Sequence, residues 1–230
     1  MQRKIITTAD GSKTIQIEGW NEQYHSVHGA IQEANHVYIK QGLLFFISEF
    51  FSHFEPDSKS NKISILEVGF GTGLNAVLTL LNSETLKRHI DYVGVEAYPV
   101  SSEELKQLNY AEVLQINQKM FESLHQSDWE ITQDMTPYFT LTKLKRYFDD
   151  IDDTNRYNII YYDAFGARVQ PELWTETLFR KMYNALRQNG VLVTYACKGS
   201  VKRALKSVGF TIERLEGPPG KRHMLRAVKR

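Results

Sequence analysis

The sequence is poor in several things, and each shortage removes a class of protein. It has one cysteine, Cys197. An intrachain disulfide framework and a cysteine zinc cluster are therefore both excluded. No apolar run approaches the roughly 18 residues that a membrane-spanning helix needs. Met1–Thr14 lacks the apolar stretch of a signal peptide, so a cytoplasmic protein without membrane contact is expected. Internal repeats, low-complexity tracts and Pro/Gly-rich linkers are missing too. The seven histidines form no helical pair of metal-binding spacing, so no metal is expected. Cys197 reads as a small residue at a strand end.

What remains is a chain of 230 residues with 42% apolar residues, enough for one continuous core. Its net charge of +1 hides an asymmetry. From Lys198 to Arg230 there are ten Lys and Arg against Glu213 and Glu216, a net +8 that leaves the rest at −7. A basic end on an acidic body suits a polyanionic partner, or simply a solvated face.

Residues 1–62 stand apart from the pattern that follows and read as an N-terminal extension. Ile5–Thr7 and Thr14–Glu18 flank Asp10-Gly11 as a short hairpin, and the apolar residues of Val37–Phe54 predict a helix. In 63–230, strands alternate with helices. The strands are expected at Lys62–Val68, Asp91–Val95, Phe139–Leu144, Tyr157–Tyr162 and Gly190–Ala196. Helices are expected over Leu74–Leu81, Ser101–Glu122, from Pro171 to Gly190, and Ser200–Val208. Phe210–Leu215 and His223–Val228, joined by Gly217–Gly220, close the chain as an antiparallel pair. Such alternation predicts an α/β fold with a doubly wound, mainly parallel sheet. With the terminal pair it becomes the seven-stranded sheet of class I S-adenosylmethionine-dependent methyltransferases.

The chemistry concentrates after the strands. Gly69, Gly71 and Gly73 follow the first strand of the sheet and precede a helix, where glycines let the backbone turn and let a ligand approach. Their G-x-G-x-G spacing differs from the G-x-G-x-x-G that seats a pyrophosphate. Glu67, two positions earlier, would repel a pyrophosphate yet hold the ammonium of a methionine moiety. This favours S-adenosylmethionine over NAD. Glu96, at the end of the next strand, suits the two ribose hydroxyls. Asp163 follows the fourth strand, at the edge where open sheets bind ligands. A carboxylate there can orient a substrate amine and help its proton leave. Phe165 offers a stacking surface for a base or the adenine. Trp174 and Tyr183 read as helix packing, with Trp174 close enough to Asp163 to line a pocket.

With these residues placed, the chain resembles the methyltransferase family that completes 5-methylaminomethyl-2-thiouridine in tRNA. The resemblance rests on Asn21–Tyr24, Glu67–Asn75, Val95-Glu96, Asp163–Phe165, Pro171–Trp174 and Gly217–Arg222. It implies N-methylation of the primary amine of a 5-aminomethyluridine at the wobble position. It also implies an anticodon-loop partner, an extension that covers the cofactor site with Tyr24 and Glu33 contributing, and a basic face of Lys198, Lys202, Arg203, Lys221 and Arg222 toward phosphates. Two departures stand out. Leu141-Thr142 is read where relatives end the third strand in Gly-Asp, the acid of which contacts the adenine. No second dinucleotide-binding stretch is present, so no flavin is expected. The competing readings are a polyamine aminopropyltransferase, a methyltransferase for a small-molecule or protein amine, and a non-catalytic RNA-binding module.

Overall fold

The computed structural model describes residues 2–51 and 62–230. The chain opens with strands β1 (Arg3–Thr7), β2 (Lys13–Ile17) and β3 (Glu22–Gln23), which form a small antiparallel sheet. The Asp10 carboxylate at the hairpin tip accepts from the Thr8 hydroxyl at 2.8 Å and the Gln32 amide at 3.0 Å. That second bond ties the hairpin to the start of helix α1. This helix begins at Ala30–Ala34 and widens to π-helical winding over Asn35–Leu44 and Ile47–Phe51. Residues 52–54 of the helix expected from sequence lie outside the described residues.

From β4 (Ile63–Val68) the alternation expected from sequence begins, with α2 (Leu74–Leu86) and β5 (Ile90–Val95). The stretch expected as one helix over Ser101–Glu122 is three short ones: α3 (Ser102–Leu105), α4 (Tyr110–Val113) and α5 (Gln118–Gln126). They are separated because Ser101 caps the first in a capping box with Glu104, Gln115 takes a left-handed φ of 53°, and Asn117 caps the third.

Next come β6 (Thr132–Thr136), β7 (Phe139–Leu144), β8 (Tyr157–Tyr162), α6 (Glu176–Ala185), β9 (Leu186–Thr194), α7 (Gly199–Ser207), β10 (Thr211–Glu216) and β11 (His223–Val228). The helix expected from Pro171 to Gly190 is shorter. Pro171–Trp174 is a 3-10 turn, Thr175 caps α6, and Leu186 is already extended. The cause is tertiary. The Lys229 ammonium, from the end of the chain, binds the carbonyls of Tyr183 at 2.9 Å and Leu186 at 2.7 Å, fixing the last helical turn and the first strand residue.

The main sheet has eight strands in the order β10-β11-β9-β8-β4-β5-β7-β6, one more than the seven expected. The additional strand, β6, pairs antiparallel with β7 at the edge. It carries Thr132, Gln133 and Asp134 and little apolar surface, so it gives no hydrophobic signal of a strand. β7, β5, β4, β8 and β9 run parallel. Strand order reverses between β4 and β8, and a crevice for ligands opens beyond the carboxyl ends of strands at such a point. Core residues face both sides of the sheet, as in any parallel sheet covered on two faces. Ile65, Tyr92, Leu141, Tyr161 and Val193 pack beneath α1 and α2, while Leu66, Val93, Tyr162 and Leu192 pack with α6 and α7. Ile15, Ala30, Val37 and Tyr38 of the extension belong to the first of these clusters. No helix among the described residues is long and apolar enough to cross a membrane.

Candidate active site at the strand switch point

The reversal places Val68 of β4 beside Tyr162 of β8, so the segments that follow leave side by side. The Asp163 amide donates to the Val68 carbonyl at 2.9 Å. Gly69 has φ 96°, and a Cβ there would lie 2.7 Å from the Asp163 carbonyl oxygen. Only a glycine lets the two backbones meet this closely. Both segments line one cavity of about 1210 Å³. Its walls include Tyr24 and Glu33 of the extension, Gly71, Asn75, Glu96 and Tyr98, Tyr147–Asp149, Phe165, Tyr195 and Lys221.

Asp163 is held at both oxygens. Oδ1 accepts from the Tyr38 hydroxyl at 2.6 Å and Oδ2 from the Asn75 amide at 2.9 Å. Burial pushes its carboxyl up to about 7, against the lowering effect of the Tyr38 hydrogen bond. The same Asn75 nitrogen donates to Glu67 Oε1 at 2.8 Å, while the buried Asn75 Oδ1 has no hydrogen-bond partner among the described residues. Burial and the nearby Asp163 hold Glu67 well above the usual carboxylate range.

These contacts place Glu67 behind the cavity wall. It is 1% exposed and does not line the cavity, whereas Asn75, which donates to it, does. Gly73 is likewise absent from the wall. Its backbone starts α2 with φ 71°, packed against the His125 ring.

Glu96 lies where expected, at the end of β5. Its carboxylate accepts from the Gly71 amide at 3.1 Å and the Tyr98 amide at 2.9 Å. Burial raises its carboxyl as well. Tyr24 covers the glycine loop so closely that a Cβ on Gly71 would lie 3.0 Å from its ring. Phe165 meets Tyr24 edge-on at 5.0 Å and Trp20 at 5.7 Å. Trp174 stands behind Phe165, donating from its indole to the Phe165 carbonyl at 2.8 Å and packing on Tyr162. It is not part of the wall.

The basic residues divide. Lys221 turns inward: its ammonium pairs with Glu33 and lies 4.4 Å from the centre of the Tyr195 ring. Its charge is therefore engaged in the cavity wall and not on the surrounding surface. Lys198, Arg203 and Arg222 are exposed and Lys202 is half-buried, all outside the cavity. Two other cations of the +8 segment are also engaged, Arg226 with Glu213 at 2.5 Å and Lys229 with the carbonyls of Tyr183 and Leu186.

The third parallel strand of the sheet, β7, has the bounds expected from sequence, Phe139–Leu144, so Leu141-Thr142 is not its end. Leu141 and Thr142 are inside β7, paired with Tyr92 and Val93. The residues beyond its end that reach the cavity are Tyr147, Phe148 and Asp149. Sequence reasoning misses Tyr38, Asn75 and Tyr195. Asn75 sits inside the Glu67–Asn75 segment that carries the family resemblance, whereas Tyr38 looks like one more apolar residue of a helix.

The cavity fits a nucleoside with a cationic side chain. Among the described residues, seven acids line it: Glu22, Glu33, Glu96, Glu104, Asp149, Asp163 and Glu172. The cations among them, Arg3 and Lys221, are paired with Glu104 and Glu33. A glycine cradle, a buried carboxylate beside it and an unpartnered amide oxygen suit a sulfonium-bearing nucleoside.

Comparison with known proteins agrees. Among curated proteins, the chain is 30% identical over 183 residues to the tRNA 5-methylaminomethyl-2-thiouridine biosynthesis bifunctional protein MnmC of Actinobacillus pleuropneumoniae, covering 70% of the chain and 26% of that protein. It is 26% identical to MnmC of Burkholderia thailandensis over 96% of the chain and 34% of that protein. The chain thus spans about a quarter to a third of these relatives. Among solved structures, MNMC2 from Aquifex aeolicus superimposes with a TM-score of 0.77 at 22% identity, over 100% of this chain and 70% of that one. Spermidine synthase from Thermotoga maritima does so with 0.59 at 12% identity, over 99% and 69%. Residues 103–230 match the profile of a family described as S-adenosyl-L-methionine-dependent methyltransferases, and the chain belongs to that family.

Proposed function

We propose that the chain methylates the primary amine of a 5-aminomethyluridine, with or without a 2-thio group, at the wobble position of tRNA. The observation that carries this reading is Asp163, a carboxylate fixed at both oxygens and set against the glycine loop in one acidic cavity. The relatives named for tRNA 5-methylaminomethyl-2-thiouridine biosynthesis support the substrate class.

When bound, S-adenosylmethionine supplies an electrophilic methyl carbon on a sulfonium and leaves as a thioether. The backbone of Gly69 and Gly71 would hold it, and Glu96 would receive the ribose hydroxyls. Asp163 faces the substrate nitrogen. An alkylamine has a reference pKa near 10.4, so it arrives mostly as an ammonium. Each carboxylate oxygen has two acceptor sites, and the protein fills one on each. The others remain to bind the ammonium, aim the nitrogen and take its proton. Near pH 7 a carboxyl raised to about 7 can both take and release a proton. Phe165 and Tyr24 offer ring surface to a base splayed out of the anticodon loop.

Asp163→Ala should keep the fold and cofactor binding by calorimetry, yet lose methyl transfer to methyl-deficient tRNA by on the order of 10² or more. Wild-type turnover in that variant would remove Asp163 from the mechanism. A second reading, aminopropyl transfer to a polyamine, draws support from the acidic cavity. Turnover of a diamine with an aminopropyl donor, and none of tRNA, would favour it.

A further inference from the structure

Tyr38 is 2% exposed, and its hydroxyl reaches 125 residues along the chain to Asp163. The residue sits on the widened part of α1, within the extension and outside residues 103–230, where the family match lies. Its ring packs on Tyr161 of β8 with centroids 5.2 Å apart. Four residues on, Gly42 lets the helix lie directly on the sheet: a Cβ there would meet Val193 at 3.0 Å and Tyr161 at 3.1 Å. The tyrosine is thus clamped by packing, with its O–H aimed at one oxygen of the acid. On the opposite side, Asn75 is clamped by its bond to Glu67.

We propose that Tyr38 is a positioning residue for the reaction, the extension's hydroxyl fixing the orientation of the Asp163 carboxylate and holding it ready to accept a proton. The proposal rests on the amine-methylation reading for its kinetic consequence, but not for its geometric content. A phenol O–H donating to a carboxylate stabilises the ionised form and opposes the effect of burial. The other ionisable groups around Asp163 are Glu67 on β4, Tyr92 on β5, Glu33 on α1, Tyr110 on α4, Tyr195 after β9 and Lys221 in the 217–222 loop. Glu33 disfavours the carboxylate, and Lys221 favours it. Among the described residues of the extension, Tyr38 is the one that binds an Asp163 oxygen directly.

Tyr38→Phe keeps the ring on Tyr161 and removes only the hydroxyl. The Asp163 carboxyl can be followed by carbon-13 NMR in the cofactor-free protein, with Asp163→Asn assigning the signal. Its titration midpoint should rise by about one pH unit, a roughly tenfold change in ionisation. The rising limb of kcat/KM against pH should move up by the same amount, with the rate recovering at higher pH. A lower melting temperature with both midpoints unmoved would assign Tyr38 a packing role and overturn the proposal. Should Tyr38→Phe misfold, 3,5-difluorotyrosine incorporated at position 38 gives a more acidic O–H and a stronger donor, and the midpoint should fall; an unmoved midpoint would overturn the proposal equally. A shifted midpoint in a protein that methylates no amine would sink the functional reading and leave the Tyr38 assignment standing.

Discussion

At the scale of single residues, the site is organised by what burial does to ionisable groups. A carboxylate enclosed by protein is disfavoured until a cation joins it. Asp163, raised to about 7, therefore favours the folded state when neutral. Its unfolded value lies near 3.8, so this stabilisation is complete in acid and is lost as pH climbs through about 7. The neutral amide in Asp163→Asn has no such dependence. The melting temperature of the cofactor-free wild type should fall relative to that variant between about pH 4 and 8. Parallel curves would show that Asp163 ionises as if in water. The comparison has to be a difference, because His25 and His125, lowered to about 4 by burial, act in the opposite direction as acid is added. Both proteins carry these histidines, so their contribution cancels. Residue identities are the part of the site most legible in sequence: Asp163, Glu96 and the first glycines lie where the motifs put them. Glu67 is legible as a residue, but its burial behind the wall and its bond to Asn75 are not.

At the scale of elements, α1 carries more of the site than its apolar sequence suggests. Periodicity marks Tyr38 as one more core residue, and its aromatic ring is indeed buried. Which atom the hydroxyl meets depends on how the helix lies on β8 and β9, and Gly42 sets that distance. Gly42→Ala adds a methyl at 3.0–3.1 Å from Val193 and Tyr161, tighter than ordinary contact. Overpacking of this kind costs about 1–3 kcal/mol. It should lower the melting temperature and also lift Tyr38 from Asp163, moving the Asp163 titration upward. A loss of stability with an unchanged titration would show that the helix yields without shifting Tyr38. The short helices α3–α5 and the edge strand β6 are not legible, for opposite reasons. Caps and one left-handed residue break a long helical pattern, and a polar strand borrows its hydrogen bonds from β7 without an apolar face.

At the scale of the whole molecule, the +8 carried from Lys198 to Arg230 overstates the charge offered to a polyanion. Arg226 and Lys229 are tied to the body, and Lys221 closes the cavity against Glu33. The exposed remainder includes Lys198, Arg203 and Arg222. Reversing these three to Glu should weaken tRNA binding and flatten its dependence on salt. The log–log slope should fall by about 0.7 for each single-strand phosphate that is no longer neutralised. Binding assays at several salt concentrations check this, and an unchanged slope would place the RNA elsewhere. Lys221 is left out of that set because reversing it would set two carboxylates together inside the site.

The sequence by itself determined the alternation of strands and helices, the antiparallel close, and the residue types at the ends of β4, β5 and β8. Those features are local: periodicity, glycine conformations and strand-end chemistry act over a few neighbouring residues. Tertiary structure alone decided that Tyr38 and Asn75 share Asp163, that Lys221 faces inward, and that Lys229 ends α6. Each of these is a bond between parts of the chain far apart in sequence. Hydrogen bonds and ion pairs depend on ångström-scale approach between packed elements, and a hydrophobic pattern specifies which face is buried without specifying that distance.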